Sequence, residues 1–362
     1  MAIWKIDELG EFVTLKRGYD LPQQKRKNGE IPIFSSSGVT GTHNEAMVEA
    51  PGVITGRYGT IGEVFFAETS FWPLNTTLYV ENFHENDEKF VYYFLKTLEW
   101  KKLASASAVP GINRNTVHKE IVRFPDFETQ QKIASVLSTI DKKIAVNKAI
   151  NDNLEQQAAA LFSSLYNRSN TEVRYTDLIQ ILGGGTPKTG ETAYWNGNIA
   201  FFTPKDVGTP YTFITEKTIT EEGLSHCNSR LYPVNTVFVT ARGTVGKVGL
   251  SGVPMAMNQS CYALVGKETH QLLVYFYTLK AVDRLKHKAS GAVFDAITTR
   301  DFDSEQIMKL SDDDAKAFLC VAEPMFQEIL NNSIENLRLS TLRDFLLPKL
   351  MSGEIDVSSV QL

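Results

Sequence analysis

Two arginine-glycine runs stand out in this 362-residue chain for residue types that can do chemistry. One reads GVITGRYGTIGEVFF from Gly52 and the other TVFVTARGTVGKVGL from Thr236. Arg57 and Arg242 each end a β-rich stretch beside glycines that let a backbone approach a phosphate or a groove edge. A guanidinium fork can also donate to both acceptors of a guanine O6/N7 edge. The same pattern suits a structural role in which each arginine pairs with a carboxylate and braces its loop.

Catalytic groupings are missing. The chain has no Asn-Pro-Pro-Tyr/Phe, no G-x-x-x-x-G-K-S/T, no H-E-x-x-H, no paired C-x-x-C and no G-x-S-x-G. His43, His84, His118, His226, His270 and His287 are scattered without ligand spacing, so no catalytic and no metal residue is assigned. Asp312-Asp313-Asp314, after Ser311, suits the N-terminus of a helix better than a metal site. Cys227, Cys261 and Cys320 are an odd set confined to the second half, which argues against a disulfide framework. Early charges at Lys5, Asp7 and Glu8 and the lack of a long apolar run predict a cytoplasmic protein with no membrane partner. Hydrophobic residues at 43% and charged residues at 22% suit globular domains, and a net charge of −5 means that any nucleic-acid surface is local.

The elements that must position these residues repeat. Arg57 and Arg242 are 185 residues apart, Gly62 and Gly246 184 apart, and PLNTTLYV from Pro73 resembles AMNQSCYAL from Ala256, pairing Asn75 with Asn258 and Tyr79 with Tyr262. Strand-like runs are expected at 31–34, 53–55, 64–66, 199–202, 237–240 and 262–265, and helical ones at 90–103 and 272–285.

Two long helices complete the repeat. Ile133, Leu137, Ile140, Ile144, Asn147, Asn151, Leu154, Ala158, Leu161 and Leu165 form a 3-4 spaced seam. Adding 185 to each gives Phe318, Ala322, Met325, Ile329, Asn332, Asn336, Leu339, Arg343, Leu346 and Leu350. Pro324 should kink or restart the second helix. Asparagines in an apolar seam cost stability but fix register, so Asn147 or Asn151 is expected to meet Asn332 or Asn336. About 38 residues give a rod of roughly 57 Å. Such a rod would hold two binding surfaces apart by about one and a half turns of B-DNA, at ~34 Å per turn, the geometry of a bipartite reader of double-stranded DNA.

The expected fold is therefore α+β: two tandem mixed α/β domains, separated by two long helices forming an antiparallel coiled coil, in a pseudo-twofold internal repeat. The domains run 1–127 and 169–311; the helical segments run 128–168 and, with the tail, 312–362. Residues shared by both halves should be scaffold or phosphate contacts, and unshared polar loops should carry the sequence code. That directs attention to Lys25, Arg26, Lys27, Ser36 and Ser37 in the first domain and to Lys188, Lys205 and Arg230 in the second. Tyr58, Trp72, Trp195 and Tyr211 read as core aromatics. Val136, Ala159, Phe162, Val321, Phe345 and Leu347, outside the seam, are candidate partner-docking positions.

The segments LRDFLLPKLMSGEI, GRYGTIGEV, ARGTVGKVGL, GGGTPKTGETAYWNGNIAFFTPKDV and ETQQKIASVLSTIDKKI, spread over nearly the full chain, resemble the DNA specificity subunit of type I restriction-modification systems. The resemblance implies a non-catalytic subunit that reads an interrupted DNA site and docks two methyltransferase subunits, with a restriction subunit as a further partner. It also implies no cofactor on this chain and S-adenosylmethionine on the methyltransferase. Two other classes compete: an autonomous methyltransferase or nuclease with an unrecognised site, and a coiled-coil scaffold that never touches DNA.

Overall fold

The computed structural model describes residues 3–105, 110–208, 210–288, 296–358 and 360. It divides into two compact units, Met1–Ala145 with Asn336–Leu362, and Val146–Glu335.

In the first unit, strands rich in Val, Ile, Thr, Leu and Phe build a four-stranded antiparallel sheet. Its strand order is Thr14–Arg17, Thr77–Asn82, Gly52–Gly56, Val64–Ala67. A three-stranded sheet sets Ile31–Ser35 between Gly38–His43 and the parallel Trp72–Pro73. A ribbon pairs Trp4–Glu8 with Ile121–Pro125. The helix Glu88–Thr97 starts at Asp87, whose carboxylate accepts from the Phe90 N–H at 2.7 Å. The single helix expected over 90–103 divides into Glu88–Thr97 and Trp100–Leu103. Buried Trp100 donates its indole N–H to the Leu95 carbonyl at 2.8 Å, so the chain must turn at Leu98-Glu99. Phe12, Phe90 and Phe94 close on Phe124 with ring centroids 4.3–5.2 Å apart.

The second unit repeats this plan strand for strand. Its main sheet runs Ile179–Gly183, Cys261–Gly266, Val237–Thr240, Val248–Ser251, with Tyr211–Thr212 added in parallel at the edge. Its small sheet sets Trp195–Phe202 between Lys217–Ile219 and the parallel Met255–Met257. A ribbon pairs Thr171–Arg174 with Gln306–Lys309. The helix Gln271–Lys288 is continuous here. Glu305 is fully buried, tolerated because Arg284 at 2.7 Å and Lys288 both hold its carboxylate.

The long helices span Phe127–Arg168 and Asp312–Met351. The first unit takes 127–145 with 336–351, the second 146–168 with 312–335. All twenty seam positions are buried or half-buried. Within the second unit the two segments run antiparallel: Phe162 lies 5.4 Å from Phe318, Arg168 pairs with Asp314, and Asn332 donates to Asn151 at 3.0 Å. Asn151 also donates to Ser333 at 3.2 Å, and Asn147 to Glu335 at 2.6 Å, while Asn336 belongs to the first unit. Arg343 occupies its half-buried seam position by bonding Asp141 at 2.7 Å, and Tyr93 donates to the other Asp141 oxygen at 2.6 Å. Ser311 accepts from the Asp314 N–H at 3.1 Å, so the three aspartates do begin a helix.

Two expectations are corrected. The second long helix continues through Pro324 without restarting. Pro324 and Cys320 are both exposed, so the carbonyl that loses its helical partner is left to solvent. Phe162 is no docking residue: it is buried and stacked on Phe276 at 5.0 Å. Val136, Ala159 and Leu347 also pack on the cores of their own units, leaving Val321 and Phe345 exposed. No helix among the described residues is long and apolar enough to cross a membrane.

Candidate nucleic-acid interface

The glycines of the two arginine runs are required by the backbone. Gly59 and Gly62 have φ of +75° and +84°, and Gly243 and Gly246 have +80° and +74°. A Cβ at Gly62 would also lie 2.7 Å from the Trp100 side chain. Each run leaves a fully buried central strand and returns on itself: Gly62 N–H reaches the Gly56 carbonyl at 3.4 Å, and Gly246 N–H the Thr240 carbonyl at 2.8 Å.

These bonds set the true correspondence between the copies, and it shifts the expected one by a residue. Arg57 and Tyr58 both donate backbone N–H groups to the Thr76 carbonyl, at 2.9 and 3.2 Å. Ala241 and Arg242 do the same to the Ser260 carbonyl, at 2.8 and 3.2 Å. Ile112 N–H bonds the Arg57 carbonyl at 3.0 Å, and Ile297 N–H bonds that of Ala241 at 2.9 Å. Arg57 therefore corresponds to Ala241, and Arg242 to Tyr58. Asn75 likewise corresponds to Gln259, not to Asn258, because Leu74 N–H and Asn258 N–H make the matching bonds to Phe34 and Phe202. The two arginines are not one repeated residue.

Their surroundings differ accordingly. Arg57 is half-buried; its Nε donates to the Ile112 carbonyl at 3.2 Å, and its guanidinium lies 4.5 Å from the centre of the Tyr58 ring. Tyr58 is thus a half-exposed platform and not a core residue. Arg242 is exposed. Among the described residues neither arginine pairs with a carboxylate; Arg57 instead braces its loop through the Ile112 carbonyl.

Other expected residues gather around these loops in part. Ser36 and Ser37 form the turn between Ile31–Ser35 and Gly38–His43, and Ser36 Oγ would lie 3.2 Å from a Cβ at Gly59. The Lys25-Arg26-Lys27 stretch precedes that hairpin in the chain and lies against its second strand. Lys27 N–H reaches His43 Nδ1 at 3.0 Å, and Arg26 lies against Gly41. In the second unit, Thr244 Oγ1 donates to the Pro204 carbonyl at 3.0 Å, bringing the Lys205 turn to the Arg242 loop. Lys205 is drawn to Glu216 at 3.5 Å. Lys188 and Arg230 are exposed on segments that flank Met255–Met257: Met257 bonds Gly185 N–H at 3.0 Å and Ser229 Oγ at 2.9 Å.

Arg17 and Arg114 escaped the sequence reading. Together with Arg57, Tyr58 and Asn113 they line a cleft of about 490 Å³ in the first unit. Beside it, His118 Nε2 accepts the Leu15 N–H at 2.8 Å, which requires the neutral ring. Burial, and then the charge of Arg114, hold His118 below its usual 6.5. No group of three or more metal-ligating side chains exists among the described residues. Burial pushes the Cys261 thiol up to about 12, which leaves it inert as a nucleophile.

The family model of the type I restriction modification DNA specificity domain matches residues 1–156 and 167–309. The type I restriction enzyme HindI specificity subunit of Haemophilus influenzae is 25% identical over 345 residues, covering 72% of this chain and 75% of that protein. The EcoR124I/EcoR124II specificity subunit of Escherichia coli is 28% identical over 203 residues, covering 52% and 50%. The crystal structure of a type I restriction-modification S subunit from M. genitalium superposes with a TM-score of 0.67 at 17% identity, covering 97% of this chain and 96% of that one.

Proposed function

The chain belongs to the type I restriction modification DNA specificity family, and on that premise we propose that it reads a two-part double-stranded DNA target, one half per unit. One observation carries the reading: a single strand plan occurs twice, while the basic residues at its exposed loops differ between the copies. A shared plan docks on similar duplex geometry, and different side chains select different bases.

As a specificity subunit it contributes recognition and leaves catalysis to its partners. We assign the chemistry to two methyltransferase subunits that carry S-adenosylmethionine, with a restriction subunit as a further partner. The duplicated plan supports a pair of equivalent docking partners. The long helices would form an antiparallel coiled coil that sets the interval between half-sites. Its support is the burial of all seam positions and the Asn151–Asn332 bond.

Footprinting of the chain with its methyltransferase partner tests the reading. Two protected blocks with an unread interval are expected; one continuous short block counts against it. The purified chain alone, given DNA, Mg²⁺ and S-adenosylmethionine, is expected to show no turnover.

A further inference from the structure

We propose that the cleft between Arg17, Arg57 and Arg114 is a seat for a DNA backbone phosphate that the first unit has and the second lacks. The inference rests on the DNA-reading function above and adds a positioning site to it.

Three arginines from three separate segments line this cleft: Arg17 ends the edge strand Thr14–Arg17, Arg57 leaves the central strand, and Arg114 opens the short helix Arg114–His118. Among the described residues no carboxylate lines it. The one ion pair that these arginines make there joins Arg17 to Asp20 at 3.8 Å, and Asp20 is itself bonded by the Asn75 amide. Three like charges that share one distant carboxylate leave the cleft with an excess of positive charge, which suits an anionic ligand. A base edge offers neutral acceptors only, whereas a phosphate offers charged oxygens to several forks at once.

The internal repeat separates this role from a scaffold role. Strand pairing places Gly183 where the first unit has Arg17, and the loop bonds place Ala241 for Arg57. Thr299 follows the cap residue Thr298 as Arg114 follows Asn113. All three arginines vanish together while the strand plan stays. Residues that held the plan up would recur.

Gly111 shows that the first unit is shaped for the cleft. A Cβ there would fall 2.2 Å from the Tyr58 ring, on which Arg57 lies. The bridge partner of Tyr58 is Gly111, and that of Arg242 is Ala296. The aromatic platform and the missing side chain occur together in one copy and are both absent from the other.

The test is the salt dependence of duplex binding by the full chain with its methyltransferase partner, on a target duplex and on a random duplex. Each neutralised phosphate contributes about 0.9 to the slope of log K against log salt, so emptying this one seat with Arg17→Ala and Arg114→Ala should reduce the slope by about 0.9, equally on both duplexes. Arg17→Lys with Arg114→Lys should restore most of the slope, since an ammonium serves a phosphate as a point charge. Gly111→Ala should weaken binding by displacing Tyr58 while leaving the folded circular dichroism intact. An unchanged slope in the alanine variant overturns the seat. So does a loss confined to one G·C pair of the target and not rescued by lysine, which would make these arginines base readers. If the wild-type complex protects no DNA at all, the reading of the protein as a DNA-specificity subunit fails, and the seat with it.

Discussion

His118 shows how much one side chain ties together near the cleft. Its neutral ring accepts the Leu15 N–H, and burial with Arg114 keeps its proton affinity below the usual 6.5. A group with a lowered folded value contributes stability that is present above 6.5 and is lost as pH falls through the folded value, because the unfolded chain takes up the proton first. Unfolding by denaturant should therefore become easier as pH falls below about 6.5. His118→Gln, which keeps an acceptor and removes the titration, should flatten that part of the curve; parallel curves for the two proteins would refute it. None of this was legible in the sequence, where His118 is one of six scattered histidines. Arg17 and Arg114 were missed for the same reason, since sheet order and the return segment after residue 110 bring them together. The mismatch of Arg57 with Arg242 has another origin. Matching like side chains favoured an offset of 185, while the backbone bonds to Thr76 and Ser260 require 184.

At the scale of elements the sequence was more transparent. The strand expected over 237–240 occupies Val237–Thr240, and the seam picked by 3-4 spacing is the face that each long helix buries. Burial follows residue type at fixed spacing, and spacing is written in the sequence. Breaks in helices were less legible because they depend on surroundings, as the exposed Pro324 and the indole bond of Trp100 show. The buried Asn151–Asn332 pair makes a prediction at this scale. Each single change to alanine leaves a buried amide short of its partner and should cost about 1–3 kcal/mol. The double change should cost less than the sum, measured as a double-mutant cycle by thermal unfolding. Strict additivity would mean that the bond contributes nothing to the seam.

At the scale of the whole molecule, two copies of one plan with different loops make specificity separable. Grafting the loop residues of another specificity subunit onto 14–82 should change one half of the methylated target and leave the other half as it was, read by methylation mapping of the host genome. A change in both halves would break the assignment of one half-site to each unit. The net charge of −5 fits this division, because a chain with no overall basic excess must draw DNA through local loops.

The division of the long helices between the units has a consequence for the order of synthesis. The first unit draws on two stretches far apart in the chain, Met1–Ala145 and Asn336–Leu362, with the second unit inserted between them. A ribosome delivers 146–335 before it delivers the last strip of the first unit's core, which includes Leu350, Met351 and Val357. The unit encoded first is thus the last to be completed. A frameshift after the codon for Glu335 would damage recognition of the half-site read by the N-terminal domain and spare the one read by its neighbour.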